Sequence, residues 1–177
     1  MAKREALREL QARLAQQLSE ARTKERRRSW LAVESAGQGF LFPLHEAGEI
    51  FSPVPCVSVS HTQGWFMGIA NLRGHLHGVV DWARFLGLRD RPYGLVEGAR
   101  DSSRFVAFNA ALEINCALLV DRLAGLRNAD QLQVEEEVST GRPAFVGPRL
   151  RDTQGRVWQE IALSALATDD AFLKIVA

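Results

Sequence analysis

Gly68-Ile69-Ala70-Asn71-Leu72-Arg73-Gly74-His75-Leu76-His77-Gly78-Val79-Val80-Asp81 is the stretch on which the fold turns. It reads as an apolar strand, a polar turn containing glycine, a second apolar strand and a helix-capping acid. The pattern predicts strands over 66–70 and 76–80 around Asn71-Leu72-Arg73-Gly74. Asp81 can then cap a short helix over 82–86 that stops at Gly87. Arg73 stands at a turn between apolar strands, where a charge must be solvated, paired or used on a partner. Upstream, Glu46-Ala47-Gly48-Glu49-Ile50 offers the obvious carboxylate.

The same texture extends in both directions. Strands are predicted over 30–34 and 39–44 around Ser35-Ala36-Gly37-Gln38, with a further extended piece at Cys56-Val57-Ser58-Val59. Residues 88–103 read as a linker or long loop, and strands resume over 104–109 and 113–120. Val79-Val80-Asp81 with Gly87-Leu88 is echoed by Leu119-Val120-Asp121 with Gly125-Leu126. The echo suggests two similar β subdomains, each closed by a strand, a cap and a turn of helix. Residues 128–142 are acidic and polar, including Glu135-Glu136-Glu137. A strand pair is expected at 144–146 and 156–161 around Asp152-Thr153-Gln154-Gly155, followed by helical spacing over 163–176. Many short strands separated by turns argue for barrels or a sandwich, not for a parallel sheet.

The first 28 residues differ from the rest. Leu7, Leu10, Leu14, Leu18 and Ala21 form one narrow apolar stripe, and neither Pro nor Gly interrupts it. The spacing predicts a helix over 4–28, about 37 Å long at 1.5 Å per residue. The stripe suits either a partner helix or this protein's own β core. The segment carries nine basic and four acidic groups, a net +5, within a 177-residue chain of net +1. The organisation expected is a helical extension over 1–28 and a two-part β domain over 29–177.

Overall, 46% hydrophobic and 24% charged residues describe an ordinary globular chain. This excludes collagen-like, wholly disordered and disulfide-scaffold classes. Two cysteines, Cys56 and Cys116, are too few for a disulfide framework. There is no apolar signal-like N-terminus and no stretch of about 18–20 apolar residues, so membrane insertion is not expected and a cytoplasmic location is.

Catalytic motifs are lacking. The sequence contains no G-x-x-x-x-G-K-[ST], G-x-G-x-x-G, H-E-x-x-H or G-x-S-x-G. His75 and His77 would share one face of a strand. They raise the alternative of a metal-dependent enzyme, with Cys56 or Cys116 as further ligands. Arg26-Arg27-Arg28 raises another, a nucleic-acid-binding β-barrel with a basic helical arm. The bland readings are a surface histidine pair and a solvated helix end.

Gly68, Asn71-Leu72-Arg73-Gly74 and Val80-Asp81, with Glu49-Ile50 upstream and Leu119-Val120-Asp121-Arg122-Leu123 downstream, resemble the CheW family of chemotaxis coupling proteins in order and spacing. The resemblance runs over about residues 30–170. It implies a mainly β fold of two small, packed, five-stranded SH3-like β-barrels, here with an N-terminal helix and a short C-terminal helix. It also implies a non-enzymatic adaptor between the helical tip of a methyl-accepting chemoreceptor and the regulatory domain of a CheA-type histidine kinase. No catalytic residue, cofactor, metal or nucleic-acid partner is then expected. Carried over residue by residue, Glu49 and Arg73 form an ion pair, and Gly48, Ile50, Gly68 and Leu72 line or support the receptor-facing surface. Asn71, Gly74 and Asp81 complete the partner-binding set. Two departures stand out: Gly78 where the family usually has Pro, and Trp82 where Leu is common. The N-terminal extension and Trp65-Phe66 make the chain similar to the PilI-type adaptors of type IV pilus signalling, which implies a pilus-linked receptor and kinase.

Overall fold

A computed structural model describes residues 28–91, 101–136 and 140–177, together with Arg13 and Gln16. The helix expected over 4–28 therefore lies, but for those two residues, outside the described residues.

Among the described residues eleven strands form two sheets. The first contains β1 (Ser29–Ser35), β2 (Gln38–Pro43), β8 (Arg122–Asn128), β9 (Leu132–Glu136), β10 (Val146–Asp152) and β11 (Val157–Ile161), in the order β8-β1-β2-β11-β10-β9. The second contains β3 (Ala47–Phe51), β4 (Phe66–Leu72), β5 (His75–Asp81), β6 (Arg104–Phe108) and β7 (Cys116–Val120), in the order β3-β6-β7-β5-β4. Most neighbours are antiparallel; β5–β7 and β2–β11 are parallel. Among the short helices described are α1 (Trp82–Phe85), directly after β5, and α2 (Leu163–Leu166) and α3 (Asp170–Leu173), after β11.

The hairpins predicted around 35–38 and 71–74 form, with tighter turns than those four-residue segments. Ala36 and Gly37 (φ 48° and 76°) join β1 to β2, and Arg73 and Gly74 (φ 51° and 88°) join β4 to β5. Two left-handed residues in succession match the right-handed twist of the flanking strands.

The central strand β7 is buried on both faces, which explains the continuous apolar run Cys116–Val120. On one face Leu31, Val33, Phe40, Phe42, Val80, Val106 and Leu118 enter a core shared by both sheets. On the other face the first sheet closes over Trp30, Ala32, Leu41, Leu132, Leu150 and Trp158. The second closes over Ala70, Leu72, Val79, Phe105, Ala117 and Leu119. Each sheet thus curls around a small core of its own. Hydrogen bonding does not complete the expected pair of five-stranded barrels: one sheet has six strands, and among the described residues no ladder joins β8 to β9 or β3 to β4.

Trp82, fully buried, anchors the shared core. Phe40 and Phe42 meet it edge-on at centroid distances of 5.7 and 6.0 Å. Phe172 on α3 stacks on Phe108 (5.9 Å) and on Trp65 (6.2 Å), fastening the C-terminal helix to the five-stranded sheet. Each such pair adds about 0.5–1.5 kcal/mol beyond its buried area.

Several expectations are corrected. The Asp81/Asp121 echo does not mark repeated subdomains. β5 and β7 lie side by side in one sheet, with Asp81 opposite Leu119. Asp81 does cap α1, its carboxylate accepting from Arg84 N at 3.2 Å. Asp121 instead leads into β8, because pairing with β1 and the Arg122–Glu34 bond (3.0 Å) favour an extended chain. The polar 128–142 segment contains β9, whose acids suit an edge strand. The strand placed at 144–146 runs from Val146 to Asp152, with Pro148 in the register shift between Val146 and Arg149. The C-terminal helical spacing resolves into α2 and α3, separated at Asp169, which caps α3 by accepting from Phe172 N at 3.0 Å.

Candidate partner-binding site

The site is built at the tip of the β4–β5 hairpin. Gly68 has φ +121°, and a Cβ there would collide with the Val57 carbonyl. That close approach lets Val57 run along the free edge of β4, with Val57 N donating to Ile69 O at 2.8 Å and Ile69 N to Val57 O at 2.9 Å. Asn71 Oδ1 accepts from Gly74 N at 2.8 Å and so closes the turn. Arg73, held in the left-handed region, projects its side chain to Glu49 on β3 and forms an ion pair with it.

β3 and β4 are the two edges of the five-stranded sheet. The Arg73–Glu49 pair thus spans the seam between strands that share no ladder. Phe51 lies two residues beyond Glu49, on the same face of the strand. The Arg73 guanidinium sits 5.8 Å from the Phe51 ring centroid, and the His77 ring lies 6.3 Å from it. The Arg73 side chain is 74% exposed and that of Glu49 46%. A pair so open to water contributes at most about 1 kcal/mol to stability. Its charges stay available to a partner.

An apolar rim flanks the pair. Val57 is 74% exposed and Leu76 64%, and Ile50, Val54 and Val59 are also exposed. Leu76 shares its face of β5 with Gly78 and Val80, and Val80 enters the shared core. Leu76 therefore carries the surface of the inter-sheet core out to solvent. Gly78 leaves room for Phe66: a Cβ would stand 3.2 Å from its ring.

The structure brings Glu49, Asn71, Arg73 and Gly74 together, with Ile50 and Gly68 beside them on their strands. Gly48 and Leu72 act beneath the surface. A Cβ on Gly48 would come within 2.6 Å of Phe108 O, and Leu72 is buried in the small core. Asp81 is not at this surface. It lies at the opposite end of β5, fully buried, where burial raises its carboxyl above the ordinary value against the pull of Arg89. Phe51 and Val57 belong to the site and were missed in the sequence. Phe51 carried a signal, its two-residue spacing from Glu49; Val57 carried none.

His77 Nδ1 lies 3.1 Å from His75 O. Cys116 is sealed in the shared core, where burial pushes its thiol up to about 12. Among the described residues no three His, Cys, Asp or Glu side chains come together to hold a metal. A separate cleft of about 450 Å³ is lined by Arg28, Trp30, His45, Glu46 and Glu160. Its acids are already engaged, Glu46 by Ser164 Oγ (2.7 Å) and Glu160 by Arg28 (3.6 Å). Of the basic run, Arg26 and Arg27 lie outside the described residues. Among the described residues no helix is long and apolar enough to cross a membrane.

Comparison with known proteins agrees with this geometry. The structure is similar to that of the scaffolding protein TtCheW from Thermoanaerobacter tengcongensis, with a TM-score of 0.61 at 20% identity over 76% of this chain and 88% of that one. In sequence the chain is 26% identical to Protein PilI of Pseudomonas aeruginosa over 102 residues, 56% of this chain and 53% of that protein, so it spans about half the length of that relative. A model of the CheW-like domain matches residues 29–171, which takes in both sheets, the Arg73–Glu49 seam and α2; the chain belongs to the CheW-like domain family.

Proposed function

We propose that this chain is a non-catalytic scaffold adaptor that couples the helical tip of a methyl-accepting chemoreceptor to the regulatory domain of a CheA-type histidine kinase. The reading rests above all on the exposed Arg73–Glu49 pair across the β3–β4 seam of a CheW-like domain, with an apolar rim beside it. An amphipathic helix needs such a surface: apolar positions for its buried stripe and fixed charges to set its register. Gly48, Glu49, Ile50, Gly68, Asn71, Leu72, Arg73 and Gly74 are assigned to partner recognition, and Asp81 to holding β5 in place. The likeness to PilI supports a role in controlling type IV pilus motility. Such an adaptor works in the cytoplasm, associated with membrane-bound receptor arrays, and needs no cofactor.

The test is calorimetric titration with the regulatory domain of the CheA-type kinase from the same organism and with a receptor-tip fragment. Micromolar or tighter binding is expected. Arg73→Ala should weaken it by about tenfold or more, the loss of one charge-assisted contact at an interface. A folded Arg73→Ala protein that binds both partners like the wild type would remove Arg73 from the interface. Absence of binding by the wild type would overturn kinase coupling.

A further inference from the structure

The crossover between α1 and β6 carries Arg89, within the 88–103 segment whose sequence predicts a linker or long loop. Its side chain is only 12% exposed. One guanidinium nitrogen donates to Asp81 Oδ1 at 2.8 Å and the other to Asp121 Oδ1 at 2.9 Å. The two acceptors stand at the ends of neighbouring strands of the five-stranded sheet, but lead to different elements. Asp81 ends β5, the strand that begins beside Arg73, and its carboxylate also caps α1. Asp121 is the residue at which the chain leaves the five-stranded sheet for the six-stranded one. Its other oxygen accepts from Ala36 N, in the β1–β2 turn, at 2.8 Å, and its own N–H donates to Glu34 O at 2.9 Å. The far end of the crossover returns to the same point, where Ser102 Oγ donates to Asp121 O at 3.1 Å.

From this geometry we infer that Arg89 is a positioning residue: it ties the base of β5 to the β1–β2 hairpin and so fixes the partner-facing β4–β5 hairpin relative to the six-stranded sheet. A guanidinium suits the task because its rigid fork presents separate donors to two carboxylates at once. A lysine ammonium is a single point charge on a flexible stem and cannot reproduce that span. Two carboxylates facing one another without the fork would repel, and Asp81 is already disfavoured as an anion by its burial. The consequence for binding rests on the adaptor reading above; the structural coupling does not.

The test compares wild type with Arg89→Lys and Asp121→Asn. Amide hydrogen exchange is followed at three positions in the free protein. Ala36 reports the β1–β2 turn, Ile69 reports the edge of β4 through its bond to Val57, and Leu118 reports global opening of the core. In both variants Ala36 and Ile69 are expected to exchange about tenfold faster while Leu118 is unchanged, as for the loss of one charge-assisted hydrogen bond. Acceleration at Ala36 alone would make Arg89 a local brace and overturn the inference. Equal acceleration at all three positions would overturn it as well, because Arg89 would then act only through overall stability. Calorimetry on the same variants should show weaker binding to the kinase regulatory domain, with no change in stoichiometry. Wild type that fails to bind would refute the adaptor reading, and the exchange result would still decide the coupling.

Discussion

Arg73 occupies a backbone conformation that costs a side-chain-bearing residue about 1 kcal/mol or more. Its exposed bond to Glu49 returns at most about the same amount. Stability therefore gives no reason to keep an arginine there; the proposed adaptor role supplies one. Arg73→Gly separates the two roles better than an alanine variant, because glycine adopts the turn without strain. The expected outcome is an unfolding free energy within about 1 kcal/mol of wild type in urea titration. Partner affinity should fall as it does in Arg73→Ala. A loss of several kcal/mol with unchanged binding by the folded protein would assign Arg73 to the fold alone. At this scale the sequence was informative. The turn position of Arg73 and the nearby Glu49 were both legible, because charges rarely stand between apolar strands without a use. Phe51 beneath the guanidinium was not, since its place depends on how far the sheet curls.

Hairpins and their caps were the readable elements. Glycine-containing turns and alternating or continuous apolar runs are local signals, and β1–β2, β4–β5 and α1 follow from them. The elements that escaped are those whose conformation is set by distant pairing. The residues after Asp121 predict a cap and a turn of helix but form β8, because β1 offers them a ladder. The 132–136 sequence predicts only a polar segment, and it becomes β9 because β10 offers it a ladder. The Val57 segment, which the sequence predicts as extended, also depends on distant pairing, and its partner strand is not legible locally. Its strand-like bridge exists only because Gly68 has no side chain. Gly68→Ala places a methyl group against the Val57 carbonyl at a backbone angle that alanine disfavours. The expected result is a destabilisation of about 2–4 kcal/mol, combining backbone strain with overpacking. Thermal unfolding would measure it. Loss of protection at Ile69 ahead of Leu118 would show that the edge detaches first. A fully stable Gly68→Ala protein with Ile69 still protected would mean that the Val57 approach is dispensable.

For the whole molecule, the response to acid depends on groups that oppose one another. Burial alone would raise the Glu34 carboxyl, but hydrogen bonds from Arg122 and Arg156 more than offset it and hold it below 4.5. Asp152 is held below 3.8: its partial burial is outweighed by bonds from Trp158 Nε1 (2.9 Å) and from the Arg156 and Gln154 amides. Lowered carboxyls contribute stability that is present above their unfolded values and is lost as pH falls through the folded ones. Glu160 and Asp81 run the other way. Burial raises both, so their contribution is complete below 4.5 and 3.8 and is lost as pH climbs through the higher folded values. Glu34 lies in the six-stranded sheet, at the start of the path from Asp121 through Arg89 to β5. Glu34→Gln should therefore lower the urea midpoint at pH 7, with the gap to wild type closing as the pH is taken below 4. Glu160→Gln should match or exceed wild type at pH 7, because Arg28 at 3.6 Å is a weak and solvent-exposed partner for a buried carboxylate, and the gap should again vanish in acid. Opposite signs for the two glutamines at pH 7 follow only if Glu34 is truly paired and Glu160 is mainly desolvated. A Glu160→Gln protein destabilised as much as Glu34→Gln would mean that Arg28 and the Trp30 side chain together hold Glu160 as firmly as Arg122 and Arg156 hold Glu34. The start of β1 would then be fastened to β11 through Glu160.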